Sequence, residues 1–192
     1  MSGKDRVPSV RGVVFVNLQE RYVVRTASLL VFVRGMKRRL RLQKQEFNVC
    51  FVDDSAIRHL NRAYRGKDNA TDVLSFPWNG AGEAPASGPA HSGKHSGFAN
   101  FLGDIVISVE TARRNAEFER HTTLNEIRWL ILHGLLHLLG YDHEKDSGQM
   151  IALELALREK LVMAGGHGEK EKSKRKRQKA KPSSFKLLPF AF

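Results

Sequence analysis

The run His133-Gly134-Leu135-Leu136-His137-Leu138-Leu139-Gly140-Tyr141-Asp142-His143 constrains this chain more than any other stretch. Its first two histidines are four residues apart, so on a helix they share a face and point the same way. Gly140 can take the left-handed conformation that stops a helix and turns the chain. That turn returns His143 toward the first two rings. Three neutral imidazoles leave a fourth position open on zinc, the pattern of a catalytic site rather than a closed structural one. A lone histidine on an apolar helix reads as a core residue with a hydrogen-bond partner. Three at this spacing, with a helix-stopping glycine before the last, read as ligands for one Zn2+ ion: His133, His137 and His143.

The spacing H-x-x-x-H-x-x-G-x-x-H is also that of the metzincin metalloproteases. They place a glutamate directly after the first histidine as the general base. Here that position is Gly134, which cannot accept a proton. The metal geometry is kept and the protease base is missing, so peptide hydrolysis is the second reading.

A chain of 192 residues is most simply one domain with room for a core. The single Cys50 can form no internal disulfide, which fits a reducing compartment and leaves metal binding to His, Asp or Glu. The apolar run Ala27 to Val33 is cut by Arg34 and is too short to cross a bilayer. No secretory signal pattern precedes it, so a cytoplasmic protein without a membrane partner is expected. The net charge is +12. Between Glu169 and Pro182 eight basic residues face two acidic ones, so half of the excess lies in that short stretch. The densest patch in the body is Met36 to Lys44. A basic body with a basic arm suits an anionic polymer, since phosphate contacts release counterions. The same tail also reads as a solvated, disordered segment that aids solubility.

Strands are expected at Val13 to Leu18, Phe47 to Val52, Val73 to Phe76 and Asp104 to Val109. Helices are expected at Thr26 to Leu42, from an N-cap at Asp54 to about Tyr64, at Glu110 to Arg120, at Leu124 to Leu139 and at Asp146 to Met163. The leucines of the fourth helix occupy nearly its whole circumference, which marks it as central and buried. Residues 79–100 are rich in Gly, Ala, Ser and Pro and read as a surface loop. His91 and His95 inside it read as loop residues rather than ligands. The fold class is α+β with α/β-like layers: a mixed sheet of about four strands packed with helices. The domain spans 1–165, and 166–192 is a basic tail.

With these residues in hand, the chain resembles the YbeY family of metal-dependent endoribonucleases. One motif is H-G-x-L-H-L-x-G-Y-D-H, met at every fixed position by residues 133–143. The other is N-x-x-Y-R-G-K-D-x-x-T-D-V-L-S-F-P, met by Asn61, Tyr64 to Asp68 and Thr71 to Pro77. Leu102 to Ile105 looks like the family's next segment, and the resemblance covers roughly residues 12–163. It implies a zincin-like fold with zinc on the three histidines. It also implies a single-strand-specific nuclease acting on the 3′ end of small-subunit (16S) rRNA and in ribosome quality control. Its implied partners are RNA, the ribosome and small-subunit assembly factors, with no DNA expected. Arg65 matches the family's functional arginine. The loop at 79–100 looks long for the family, and the tail has no counterpart.

Phosphodiester hydrolysis needs an activated nucleophile, charge neutralisation and help for the leaving oxygen. Zinc acidifies water without a carboxylate base, which removes the difficulty posed by Gly134. Arg65 suits a phosphate clamp, or a helix-end arginine bound to carbonyls or Asp68. The nucleophile is either water or the RNA 2′-hydroxyl. Asp104 and Asp142 are candidates for orienting a ligand histidine; Asp142 reads equally as a turn residue. A metzincin-like protease and a non-catalytic ribosome-assembly factor with structural zinc are the competing classes.

Overall fold

The computed structural model describes residues 9–10, 12–78, 99–143 and 145–165. These residues form five strands and five helices. They are β1 (Ser9–Val10), β2 (Val13–Asn17), α1 (Thr26–Arg39), β3 (Glu46–Val52), α2 (Asp54–Arg65), β4 (Val73–Pro77), β5 (Phe101–Ser108), α3 (Val109–Phe118), α4 (Thr123–Leu138) and α5 (Gln149–Gly165). The strand order is β1-β2-β3-β5-β4. The three inner strands run parallel, and both edge strands run antiparallel to their neighbours. This is the mixed sheet with packed helices expected of the sequence. The fifth strand is the two-residue β1, which turns onto β2 through Gly12 at φ +77°. Two residues carry no periodicity, so that strand was not legible.

Alternation along the strands sorts the core onto two faces. Phe15, Val49, Phe51, Ile105 and Ile107 face one side, where they pack with Leu29, Val33 and Met36 of α1, Ile131 and Leu135 of α4, and Leu157 of α5. Val52, Leu74 and Val106 face the other side, where Ile57 of α2 covers them. The sheet therefore carries α1, α4 and α5 on one face and α2 on the other.

Helix starts follow side-chain chemistry. Asp53, not the expected Asp54, caps α2 by accepting from Ala56 N at 2.8 Å. Asp54 instead accepts the hydroxyls of Ser108 and Thr111, tying the start of α2 to that of α3. Ser108 caps α3, and Thr122 caps α4. Helix α1 stops at Arg39, short of the expected Leu42, because Arg41 takes a left-handed φ of 58°. Lys37, counted above in a basic surface patch, is buried, and its ammonium donates to Gln45 O at 2.6 Å. Strand β5 starts at Phe101, three residues before Asp104, and α5 starts at Gln149, three after Asp146. The expected loop at 79–100, with His91 and His95, lies almost wholly outside the described residues, as does the tail 166–192.

Candidate metal centre

Helix α4 lies flat on β4 and β5 because one of its turns has no side chain. A Cβ on Gly134 would stand 2.7 Å from Ile105 Cγ2 and 3.0 Å from Ser75 Oγ. Ser75 Oγ donates to Gly134 O at 3.2 Å and pins that turn to the edge strand. The glutamate that a metzincin needs here has no room. Gly134 is thus a packing requirement as well as a missing base.

The helix ends as its sequence predicts. Gly140 has φ +90°. Gly140 N donates to His137 O at 2.9 Å and Tyr141 N to Leu136 O at 3.1 Å. Those two bonds make a Schellman ending, in which a left-handed glycine satisfies the last carbonyls and reverses the chain. The reversal brings His143 back beside α4. Ring centroids of His133, His137 and His143 are 4.7, 5.3 and 5.5 Å apart.

One nitrogen from each of the three rings lies within 4.8 Å of the others, the one such ligand group among the described residues. His133 Nε2 and His137 Nε2 face each other at 3.1 Å. Two nitrogens held tetrahedrally at zinc–nitrogen bond lengths are separated by roughly 3.3 Å, so the donor set fits such an ion. His137 has its pKa lowered to about 4, first by burial and then by the His133 and His143 rings beside it. It is therefore neutral at pH 7, the form that binds metal.

Behind His133 stands a residue that the sequence reading missed. Glu154, on α5, places Oε2 3.0 Å from His133 Nδ1. Its other oxygen accepts from Arg158, one turn further along the helix. Burial alone would raise the Glu154 carboxyl, but the His133 hydrogen bond and the Arg158 guanidinium outweigh it, and its pKa is lowered. The Arg158 guanidinium lies 4.8 Å over the Trp129 ring. A signal was present in the sequence: Met150, Leu157 and Leu161 form the buried stripe of α5, and Glu154 falls on it. An acid on the apolar stripe of a helix requires a partner.

The two aspartates named from sequence sit differently. Asp104 is two residues before Val106, on the α2 side of the sheet, and accepts from Asn48 Nδ2 at 2.8 Å. It lies on the opposite face from the histidines. Asp142 pairs with Lys145 at 2.9 Å, and its negative charge acts on the His137 ring, more weakly than burial does. Arg65 is the last residue of α2 and is exposed. Its neighbour Tyr64 stacks edge-on against Phe76, which pairs with Asp104; Gly103, next to Asp104, abuts Leu138 of α4. Arg65 and the histidines therefore occupy the same end of the sheet on opposite faces.

A sheet-backed helix with two of three converging imidazoles, and a carboxylate behind the first, defines an α+β protein built around a site able to hold a metal ion. The sequence profile described as Endoribonuclease YbeY matches residues 18–162. The chain belongs to the endoribonuclease YbeY family, a family of hydrolases. The relative of that name from Nautilia profundicola is 44% identical over 120 residues, 62% of this chain and 75% of the relative. The one from Anaeromyxobacter is 48% identical over 123 residues, 62% of this chain and 57% of the relative. The one from Myxococcus xanthus is 44% identical over 128 residues, 66% of this chain and 40% of the relative. The solution structure of TM1509 from Thermotoga maritima shares the fold, with a TM-score of 0.52 at 24% identity, over 85% of this chain and 99% of that one. No helix among the described residues is long and apolar enough to cross a membrane.

Proposed function

We propose that this protein is a zinc-dependent endoribonuclease that cuts single-stranded RNA. On this reading it matures the 3′ end of small-subunit (16S) rRNA and serves ribosome quality control in the cytoplasm. Its partners are then RNA, the ribosome and small-subunit assembly factors. The observation that carries the reading is the convergence of three imidazole nitrogens within 4.8 Å, in a chain of an endoribonuclease family. The net charge of +12 supports a polyanionic substrate. Residues 1–165 are the hydrolase domain, and 166–192 a basic arm that adds RNA affinity.

His133, His137 and His143 hold the ion as neutral imidazoles. Zinc, when bound, supplies polarisation of a phosphoryl oxygen and acidification of water near pH 7. Arg65 clamps a neighbouring phosphate through parallel guanidinium donors. An RNA strand passing round the β4 edge would meet the histidines on one face and Arg65 on the other. Gly134 would need no replacement as a base, since an ion held by the three histidines would supply the acidified water.

The test is cleavage of a single-stranded RNA carrying the 3′ end of the small-subunit precursor. The zinc-loaded wild type is expected to cut it, and His143→Ala to lose both zinc and cleavage. Arg65→Glu should keep its zinc and cut at least tenfold more slowly. Cleavage that persists in metal-stripped His143→Ala protein would overturn the reading. Product ends identify the nucleophile: a cyclic phosphate marks the 2′-hydroxyl.

A further inference from the structure

A neutral imidazole has one nitrogen that donates and one that accepts, and only the accepting nitrogen binds a metal. The His133 ring must therefore carry its proton away from the cluster. Its Nδ1 lies 3.0 Å from Glu154 Oε2, and a carboxylate whose other oxygen is held by the Arg158 guanidinium accepts from the ring. The proton is thus placed on Nδ1, and the Nε2 lone pair is aimed at the two other rings.

Glu154 is itself held from behind. It is buried at 8% exposure, and the Arg158 guanidinium takes its second oxygen. Arg158 rests on the Trp129 face, one helical turn before His133 on α4. The four side chains run as a row from Trp129 through Arg158 and Glu154 to His133. Helix α5 contributes the two charged members and α4 the two rings.

We infer that Glu154 is a positioning residue for the metal centre, fixing the tautomer and ring orientation of His133, with Arg158 holding the carboxylate in place. The inference rests on the three histidines being a metal site. Carboxylates behind a ligating imidazole raise its basicity, and their loss costs roughly 10–100-fold in metal affinity. Asp104, one of the aspartates suggested by sequence, does not take this place, because it faces the opposite side of the sheet.

The experiment measures zinc affinity by chelator competition in the full chain, together with the 15N shifts of the His133 ring in metal-free protein. Wild-type binding, measured first, decides whether the site takes zinc at all and so tests the underlying reading separately. Glu154→Leu/Arg158→Leu removes both charges together, because a lone buried charge would destabilise the fold. This double variant should keep the wild-type melting temperature within a few degrees, bind zinc about ten- to a hundredfold more weakly and show mixed His133 tautomers. Glu154→Gln keeps an acceptor and loses the charge, so it should keep the tautomer and show a smaller affinity loss; it carries the test if the double variant does not fold. Wild-type zinc affinity with an unchanged His133 tautomer in the double variant, or wild-type affinity in Glu154→Gln, would overturn the inference.

Discussion

His121 and Glu126 meet at the start of α4, with Nε2 and Oε2 3.1 Å apart; His133 and Glu154 meet beside its second half, at 3.0 Å. Both pairs join an imidazole to a buried carboxylate, and both border the same apolar helix. Their carboxylates are shifted in opposite directions. Burial dominates at Glu126, with Asp72 adding to it, so its pKa is raised despite His121 and Asn115. At Glu154 the His133 hydrogen bond and the Arg158 charge overcome burial, so its pKa is lowered. His121 Nε2 lies at ion-pair distance but makes no aligned hydrogen bond, whereas His133 Nδ1 does. Burial beside a histidine does not by itself set the direction of a carboxyl's shift. At Glu154 the aligned His133 bond and the Arg158 guanidinium bonded directly to its second oxygen turn the shift downward.

The largest contrast should come from truncating each histidine. His133→Ala is expected to lose bound zinc and RNA cleavage altogether. His121→Ala should retain both, because its ring lies outside the cluster. Metal analysis and an RNA digest read the pair of variants. Equal loss in both would erase the distinction between the two ends of α4.

Next in size is Gly134→Ala. The added methyl would press on Ile105 and Ser75, and overpacking of this kind costs about 1–3 kcal/mol. In a domain of this size, each kcal/mol lowers the melting temperature by roughly 2–4 °C. Thermal unfolding of the metal-free protein checks it. An unchanged melting temperature would show that α4 is not held against the sheet at that turn, and would loosen the account of why the two histidines are aimed as they are.

The smallest effect is in pH. A carboxylate whose folded pKa is raised binds a proton more tightly folded than unfolded. Its contribution is full below the unfolded value of about 4.5 and is lost as pH rises through the folded pKa. Stability due to Glu126 should therefore fall with rising pH above that value. Asp54 is shifted the other way: although burial opposes it, hydrogen bonds from Ser108, Thr111 and Arg114 lower its pKa. Its contribution is present above about 3.8 and is lost as pH falls through the folded pKa, so the two windows separate. Glu126→Gln should flatten the decline in melting temperature as pH rises. A decline that persists in the variant would assign it to another group.

What could be read from the sequence depended on the distance over which each feature is specified. His133, His137 and His143 lie within eleven residues, and helix pitch plus the Gly140 turn bring them together. The inner strands and the buried α4 followed from apolar patterning. Glu154 did not, because α5 meets α4 only through tertiary packing and an isolated acid names no partner. Gly134 was legible as a missing base, but its packing against Ile105 depends on the strand beneath it. Asp104 was a candidate as the start of an expected strand, yet side-chain alternation sends it to the far face.

The most direct test is to strip zinc from the full chain, restore it in steps, and follow bound metal and RNA cleavage on the same samples. The account predicts one ion per chain and cleavage that rises in proportion to occupancy. Cleavage indifferent to occupancy, or a chain that takes up no ion, would contradict it.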